Sequence, residues 1–196
     1  HHWYAWYLFV MERFNDALAE MRRAQELDPL SLIINDHLGY ALLLAGKRDE
    51  ALAQLKKTRE LDPTFPWTYW RLGSVYLEKG LHEEAFAAFQ TVVDMTGGGV
   101  GLGYVGLAFG LAGRPEEART VIAGIEERSQ KQYVSPLESA LVYAGLGESD
   151  TAFASLERAF EDRVSDLARV KLLPWPKEMR SDARLTNLVG RLGLPA

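Results

Sequence analysis

Two stretches of the chain, ALAEMRRAQELDPLS at 17–31 and ALAQLKKTRELDPTF at 51–65, are nearly the same sequence. The alanine that opens them recurs along the chain at Ala17, Ala51, Ala85, Ala118 and Ala152. Successive intervals between these alanines are 34, 34, 33 and 34 residues. A period of this length is typical of stacked helix–turn–helix arrays, so the sequence predicts a helical repeat protein.

Two further small-residue markers keep the same period. One comprises Gly46, Gly80, Gly113 and Gly147, and the other Gly39, Gly73 and Gly106, with Ala140 in the last repeat. We expect Gly46 to end a first helix in the left-handed conformation. Gly39 and Ala51 are expected to be small because the two helices of a pair cross there. Since one helix pair cannot bury its apolar face alone, the pairs must stack.

The repeated positions resemble the tetratricopeptide repeat. In the third repeat its pattern is carried by Tyr69, Leu72, Gly73, Tyr76, Gly80, Ala85, Phe89 and Val92, and in the second by Leu38, Gly39, Leu42, Gly46, Ala51, Leu55 and Pro63. The resemblance covers about residues 1–163, in repeats at about 1–31, 32–65, 66–98, 99–132 and 133–163. It implies an all-α fold: a right-handed α-solenoid of about five helix–turn–helix repeats. The terminal proline is absent from repeats three to five, and Gly97-Gly98-Gly99 follows the third.

Residues 164–196 are predicted to form a C-terminal extension with a capping helix. Ser181 is the expected N-cap, and one apolar stripe is formed by Leu185, Leu188, Val189 and Leu192. The ending MRSDARLTNLVGRLGLP at 179–195 is similar to the C-terminal repeat segment of bacterial multidomain signalling proteins, where an array follows a winged-helix domain or a serine/threonine kinase. The resemblance implies a sensor or scaffold segment. Because His1 falls inside the first helix by register, we expect a longer parent protein.

Two stretches suggest other functions that their context disfavours. GLGYVG at 101–106 matches the dinucleotide-binding fingerprint, but that motif follows a strand, whereas the preceding residues are predicted to be helical. Residues 95–113 carry no charge and approach the length of a membrane span. Eight of these nineteen residues are glycine, and they keep the repeat register. A buried helix with close-packing glycines is the better interpretation.

Net charge and residue counts disfavour several classes of function for this chain. The 196 residues carry a net charge of −5, which disfavours nucleic-acid binding because phosphate contacts need a basic face. With no cysteine and four histidines without metal-ligand spacing, the sequence predicts no metal and no cofactor. No catalytic motif is present, so we expect no enzyme. A cytoplasmic location is expected, or a periplasmic one if the parent protein spans a membrane.

The inner surface of the first helices is the predicted binding site. By register it comprises Trp6, Phe9, Asp36, Tyr40, Leu43, Trp67, Trp70, Ser74, Leu77 and Leu107. Exposed apolar strips mark partner sites, so we expect a protein or peptide partner, bound as a helix or extended segment in an apolar, aromatic groove. Lys, Arg and Asn are nearly missing from these positions, so we expect no clamp for a carboxylate.

An alternative function is structural. Trp67 and Trp70 are close enough in sequence that one must pack between repeats, and large aromatic residues are more often core than contact residues. The array would then be a self-assembly or spacer segment of a larger bacterial kinase or transcription regulator. A homodimer would fit this second interpretation, because it would fill the groove; membrane insertion and nucleic-acid binding belong to neither.

Overall fold

The computed structural model describes residues 1–98 and 100–194, and it describes Val10 by its backbone alone. All regular secondary structure in these residues is helical, which confirms the predicted all-α class of helix–turn–helix repeats. The chain divides into two compact units, His1–Leu81 and His82–Ala196. The division into an array at 1–163 and an extension at 164–196 stays a prediction.

The N-terminal unit contains five helices. They are α1 (His2–Val10), α2 (Phe14–Leu27), α3 (Leu32–Leu44), α4 (Arg48–Leu61) and α5 (Pro66–Glu78). Helix α3 packs against α2, α4 and α5, and α1 packs against α2. Gly46 follows α3 with φ of 77°, and its N–H donates to the Leu43 carbonyl at 2.9 Å. Only glycine adopts this left-handed conformation without strain, so the predicted helix-ending role of Gly46 is confirmed.

The first repeat makes the same turn without a glycine. Glu12 follows α1 with φ of 56°, and its N–H donates to the Phe9 carbonyl at 3.0 Å. A left-handed L residue costs roughly 1 kcal/mol. The packing of α1 on α2 therefore imposes the turn here, although the glycine marker is missing.

The C-terminal unit contains the remaining helices. They are α6 (His82–Met95), α7 (Leu102–Leu111), α8 (Pro115–Ser129), α9 (Pro136–Gly145), α10 (Ser149–Glu161), a 3₁₀ segment (Ser165–Leu172), α11 (Lys177–Arg180) and α12 (Ala183–Arg191). Helix α7 packs against α6, α8 and α9, and most of its residues are buried. The stretch 95–113 therefore contains the buried helix that was predicted. Gly99, in the triple glycine, lies outside the described residues.

Glycine permits close helix packing in two different places. A Cβ added to Gly39 would lie 2.5 Å from the Leu55 side chain, on the second helix of the same pair, as predicted. A Cβ added to Gly106 would lie 2.5 Å from Val142, which is on α9, the first helix of the next pair. The same repeat position therefore serves contact within a pair in one repeat and contact between pairs in another.

One buried tryptophan lies in the segment that follows α10. Trp175 is buried, and its indole N–H donates to the Val170 carbonyl at 2.7 Å. Helix α12 packs against α10 and buries Leu185, Leu188 and Val189 of the predicted stripe, whereas Leu192 follows the helix and is half-buried. Its N-cap is Asp182, whose carboxylate accepts from the Arg184 N–H at 2.8 Å. The prediction of Ser181 as the cap was wrong, because its hydroxyl instead donates back to the Lys177 carbonyl of α11 at 3.2 Å.

Candidate protein-binding surface

Trp6 lies at the centre of an aromatic cluster in the N-terminal unit. Its ring centroid is 4.8 Å from that of His37, at an interplanar angle of 88°. The Tyr40 and Phe9 rings are centred 6.0 Å and 5.6 Å from it. Such edge and tilted contacts between rings are favourable. Helix α1 therefore contacts α3 through rings on this face.

His37 accepts hydrogen bonds from α1 through one nitrogen. The Trp6 indole N–H donates to His37 Nδ1 at 3.0 Å, and His2 Nε2 lies against the same atom. An indole nitrogen can only donate, so His37 Nδ1 carries no proton. Burial lowers the pKa of His2, which favours its neutral form. The Trp6–His37 hydrogen bond therefore uses the neutral form of the His37 ring.

Asp36 and Arg71 form an ion pair beneath Tyr40. Asp36 is fully buried, and its Oδ2 accepts from Arg71 Nε at 3.4 Å. Burial raises the pKa of Asp36, and the opposing effects of Arg71 and the nearby Thr68 hydroxyl do not cancel that increase. The Arg71 guanidinium also lies 4.0 Å from the centroid of the Tyr40 ring. The Arg71 guanidinium therefore contacts both the Asp36 carboxylate and the Tyr40 ring, and Asp36 compensates its positive charge.

These contacts join residues 35 positions apart, a spacing that the repeat pattern alone did not indicate. His2 meets His37, Asp36 meets Arg71, and Gly103 meets Glu138; each pair is 35 residues apart. Within each unit, consecutive first helices lie side by side, so a residue contacts the position one repeat and one residue later. Neither His37 nor Arg71 was among the predicted site residues, although adding 35 to His2 and Asp36 finds both.

The predicted site residues fall into three groups by exposure. Six are buried: Phe9, Asp36, Tyr40, Ser74, Leu77 and Leu107. Three are half-buried, Trp6, Leu43 and Trp70, and one is exposed, Trp67. The buried residues support the surface without lining it. Leu107 belongs to the C-terminal unit, and the other nine belong to the N-terminal unit.

Three tryptophans of the predicted site remain accessible, so the surface is smaller than the sequence suggested. We name Trp6, Trp67 and Trp70 the aromatic strip. The rings of Trp67 and Trp70 on α5 lie 5.4 Å apart between centroids at an interplanar angle of 32°, and Trp67 exposes 43% of its surface. The Ser74 hydroxyl donates to the Trp70 carbonyl at 3.1 Å within α5, so its polar atom is already used. The strip is therefore aromatic and apolar.

In the stretch that matches the dinucleotide-binding fingerprint, a side chain of the same chain occupies the N-terminus of the helix. Helix α6 precedes it, as predicted, and the Gly103 N–H at the start of α7 donates to the Glu138 carboxylate. Burial raises the pKa of Glu138, while the backbone N–H groups of Gly103 and Gly101 oppose the shift. The site that would hold a phosphate is thus filled by an internal carboxylate.

The described residues contain neither a metal-ligand cluster nor a membrane-spanning helix. Within residues 1–98 and 100–194, no group of three or more potential metal ligands comes together. No helix in this part of the chain has the length and apolarity needed to cross a membrane.

Family models agree with the repeat pattern. The TPR repeat model matches residues 39–80, and the tetratricopeptide repeat model matches residues 68–97. Residues 39–97 thus match the tetratricopeptide repeat. Comparison with curated proteins finds no match.

Solved tetratricopeptide repeat proteins share the fold. TTC0263, a thermophilic TPR protein of Thermus thermophilus, has a TM-score of 0.69 and 19% identity, with 96% of each chain covered. A tetratricopeptide repeat protein of Parabacteroides merdae has a TM-score of 0.57 and 20% identity, covering 96% of this chain and 72% of that chain. YrrB, described as a TPR protein with an unusual peptide-binding site, has a TM-score of 0.51 and 17% identity, covering 87% of this chain and 89% of that chain. At these identities the likeness establishes the fold alone.

Proposed function

We propose that this tetratricopeptide repeat chain is a non-catalytic interaction module, located in the cytoplasm, that binds an apolar helix or extended peptide of a partner protein. Tetratricopeptide repeats in general support protein–protein interaction. The observation that carries the proposal is the contact between the tilted rings of Trp67 and Trp70, in which Trp67 stays 43% exposed. Tryptophan is enriched among residues that dominate binding energy.

The charge of the site favours an apolar partner. The Arg71 guanidinium lies over the Tyr40 ring, and its Nε donates to the buried Asp36. A peptide carboxylate placed here would compete with Asp36 for the same guanidinium. We therefore expect the bound segment to present aromatic or aliphatic side chains to the aromatic strip, without an acidic anchor.

Selection from a random peptide display library tests the proposal directly. Peptides selected on the chain should be rich in apolar residues, and Trp67→Ala should weaken their binding by about tenfold or more. Tyr133→Ala is the control, because it removes an exposed aromatic residue from the other unit. Trp70→Ala tests the second ring, whereas Tyr40 is buried and its removal would also perturb folding.

Two outcomes would contradict the proposal. Selected peptides that bind Trp67→Ala and Trp70→Ala as well as wild type would place the binding site elsewhere. If a diverse library yields no binder while circular dichroism shows the helices intact, the alternative of a spacer or self-assembly segment in a larger kinase or transcription regulator is favoured.

A further inference from the structure

Arg71 carries hydrogen-bond donors that the described part of the chain leaves unused. Its Nε donates to the buried Asp36 carboxylate at 3.4 Å, and the guanidinium lies 4.0 Å from the centroid of the Tyr40 ring. No described residue accepts a hydrogen bond from the Nη nitrogens of Arg71. These nitrogens form the planar fork of the guanidinium and can only donate. Since 12% of the Arg71 side chain is exposed, a bound molecule can reach it.

The unused donors lie beside the aromatic strip. Trp67, Trp70 and Arg71 belong to α5, and residues three or four positions apart on a helix are neighbours on its surface. Arg71 therefore adjoins Trp67, the most exposed member of the strip. A segment that covers the Trp67 ring would also cover the Arg71 guanidinium. Because a donor that loses water without gaining an acceptor is costly, this segment must supply an acceptor.

Asp36 determines which kind of acceptor fits. Its carboxylate is fully buried and already compensates the positive charge of Arg71. A second carboxylate at the guanidinium would therefore lie close to the first, with no cation of its own. A carbonyl oxygen accepts from the guanidinium and brings no charge. The geometry thus favours a neutral acceptor.

We propose that Arg71 is a specificity-determining residue, whose Nη groups donate to a main-chain carbonyl of the bound segment and thereby select an extended backbone. This inference rests on the proposed function and decides between the helix and the extended peptide that it allows. In a helix, every carbonyl before the last turn accepts an N–H of the same helix. In an extended segment the carbonyls have no such partner, so they can accept from Arg71.

Thioamide scanning of a bound peptide tests the hydrogen bond on the wild-type chain. The probe is the tightest-binding linear peptide selected from the random display library, resynthesised with sulfur, a weaker acceptor, in place of one carbonyl oxygen at a time. One position should lose about fivefold or more in affinity, whereas the other positions should change little. The sensitive position should lose its effect in the double variant Asp36→Asn/Arg71→Met, which replaces both members of the ion pair with uncharged residues.

Peptide selection on Asp36→Asn tests the role of charge. This variant leaves the positive charge of Arg71 uncompensated, so the selected peptides should be enriched in Asp and Glu relative to those selected on wild type. Asp49→Asn is the matched control, because it removes an exposed carboxylate from the same unit and should leave the composition of the peptides unchanged. Circular dichroism checks that the helices of both variants are intact. Equal peptide compositions on folded Asp36→Asn and on wild type would contradict the role given to Asp36.

The outcomes separate this inference from the proposed function. Peptides whose binding depends on Trp67, but at no position on the carbonyl oxygen, would overturn the role of Arg71 and keep the interaction module. Peptides that circular dichroism shows to become helical on binding would do the same. A library that yields no binder at all would remove both proposals.

Discussion

Replacing Gly106 with alanine should destabilise the C-terminal unit, although alanine is normally the better helix former. The added Cβ would lie 2.5 Å from Val142 Cγ2, 2.8 Å from Cγ1 and 3.1 Å from Cβ. Rotating the valine would relieve the contact only in part, because its Cβ would stay 3.1 Å from the new Cβ, closer than ordinary van der Waals contact. Helix α9 must therefore move away from α7, and overpacking of this kind costs about 1–3 kcal/mol.

Gly124→Ala provides the matched control. Gly124 lies within α8, and a Cβ added there would meet nothing within 4 Å. This substitution should raise the free energy of unfolding by about 0.5–1 kcal/mol, because alanine loses less backbone entropy than glycine on forming a helix. Urea denaturation followed by circular dichroism measures both variants. The same chemical change should thus have opposite signs at the two positions.

A second substitution identifies the cause. Val142→Ala removes the two methyl groups that the new Cβ would meet, so Gly106→Ala should cost less in the Val142→Ala background than in wild type. We expect a coupling energy of about 1 kcal/mol or more between the two sites. Additive effects, or a Gly106→Ala variant as stable as Gly124→Ala, would show that α7 and α9 do not approach as closely as the structure indicates.

Three further predictions concern buried charge and the turns. Burial raises the pKa of Glu138, so its contribution to stability is complete below the ordinary value of 4.5 and is lost as pH rises through the raised folded pKa. The free energy of unfolding of wild type should therefore increase relative to that of Glu138→Gln as pH falls from neutral towards 4.5. A difference that stays constant with pH in urea melts would contradict this. Asp36→Asn leaves the Arg71 guanidinium without its counter-charge and should cost about 3 kcal/mol in the same melts. Asp49→Asn, which loses an exposed pair with Lys79, should change little, and equal losses would refute the argument. Gly46→Ala puts a Cβ into open space but into a left-handed turn, and should cost about 1 kcal/mol by urea denaturation; an unchanged midpoint would show that the turn carries no strain.

The repeat architecture was predictable because local rules and the period agree. Gly46 ends α3 in the left-handed turn that its position in the sequence indicated. Gly39 is small because Leu55 leaves no room for a Cβ, as the crossing of paired helices required. The cap of α12 shows where such rules stop. Asp182 and Ser181 are both good capping residues, and the end of the short helix α11 decided between them.

The binding site was predictable only in outline. Register alone placed Phe9 and Asp36 on the inner face, but in the structure both are buried. Register says which side of a helix a residue occupies, and the neighbouring helix decides whether water reaches it. Arg71 was overlooked because its importance comes from two contacts with α3, to Asp36 and to Tyr40.

The sequence by itself determined the helical class, the period and the turns that separate the helices, because helix periodicity and glycine conformation are properties of a few neighbouring residues. Tertiary structure decided which aromatic side chains remain accessible, how Asp36 is paired with Arg71, and that Glu138 occupies the start of α7. These features depend on residues one repeat apart, brought together by the packing of successive helices. Exposure and pairing are properties of that packed surface, and the local sequence contains only one side of each contact.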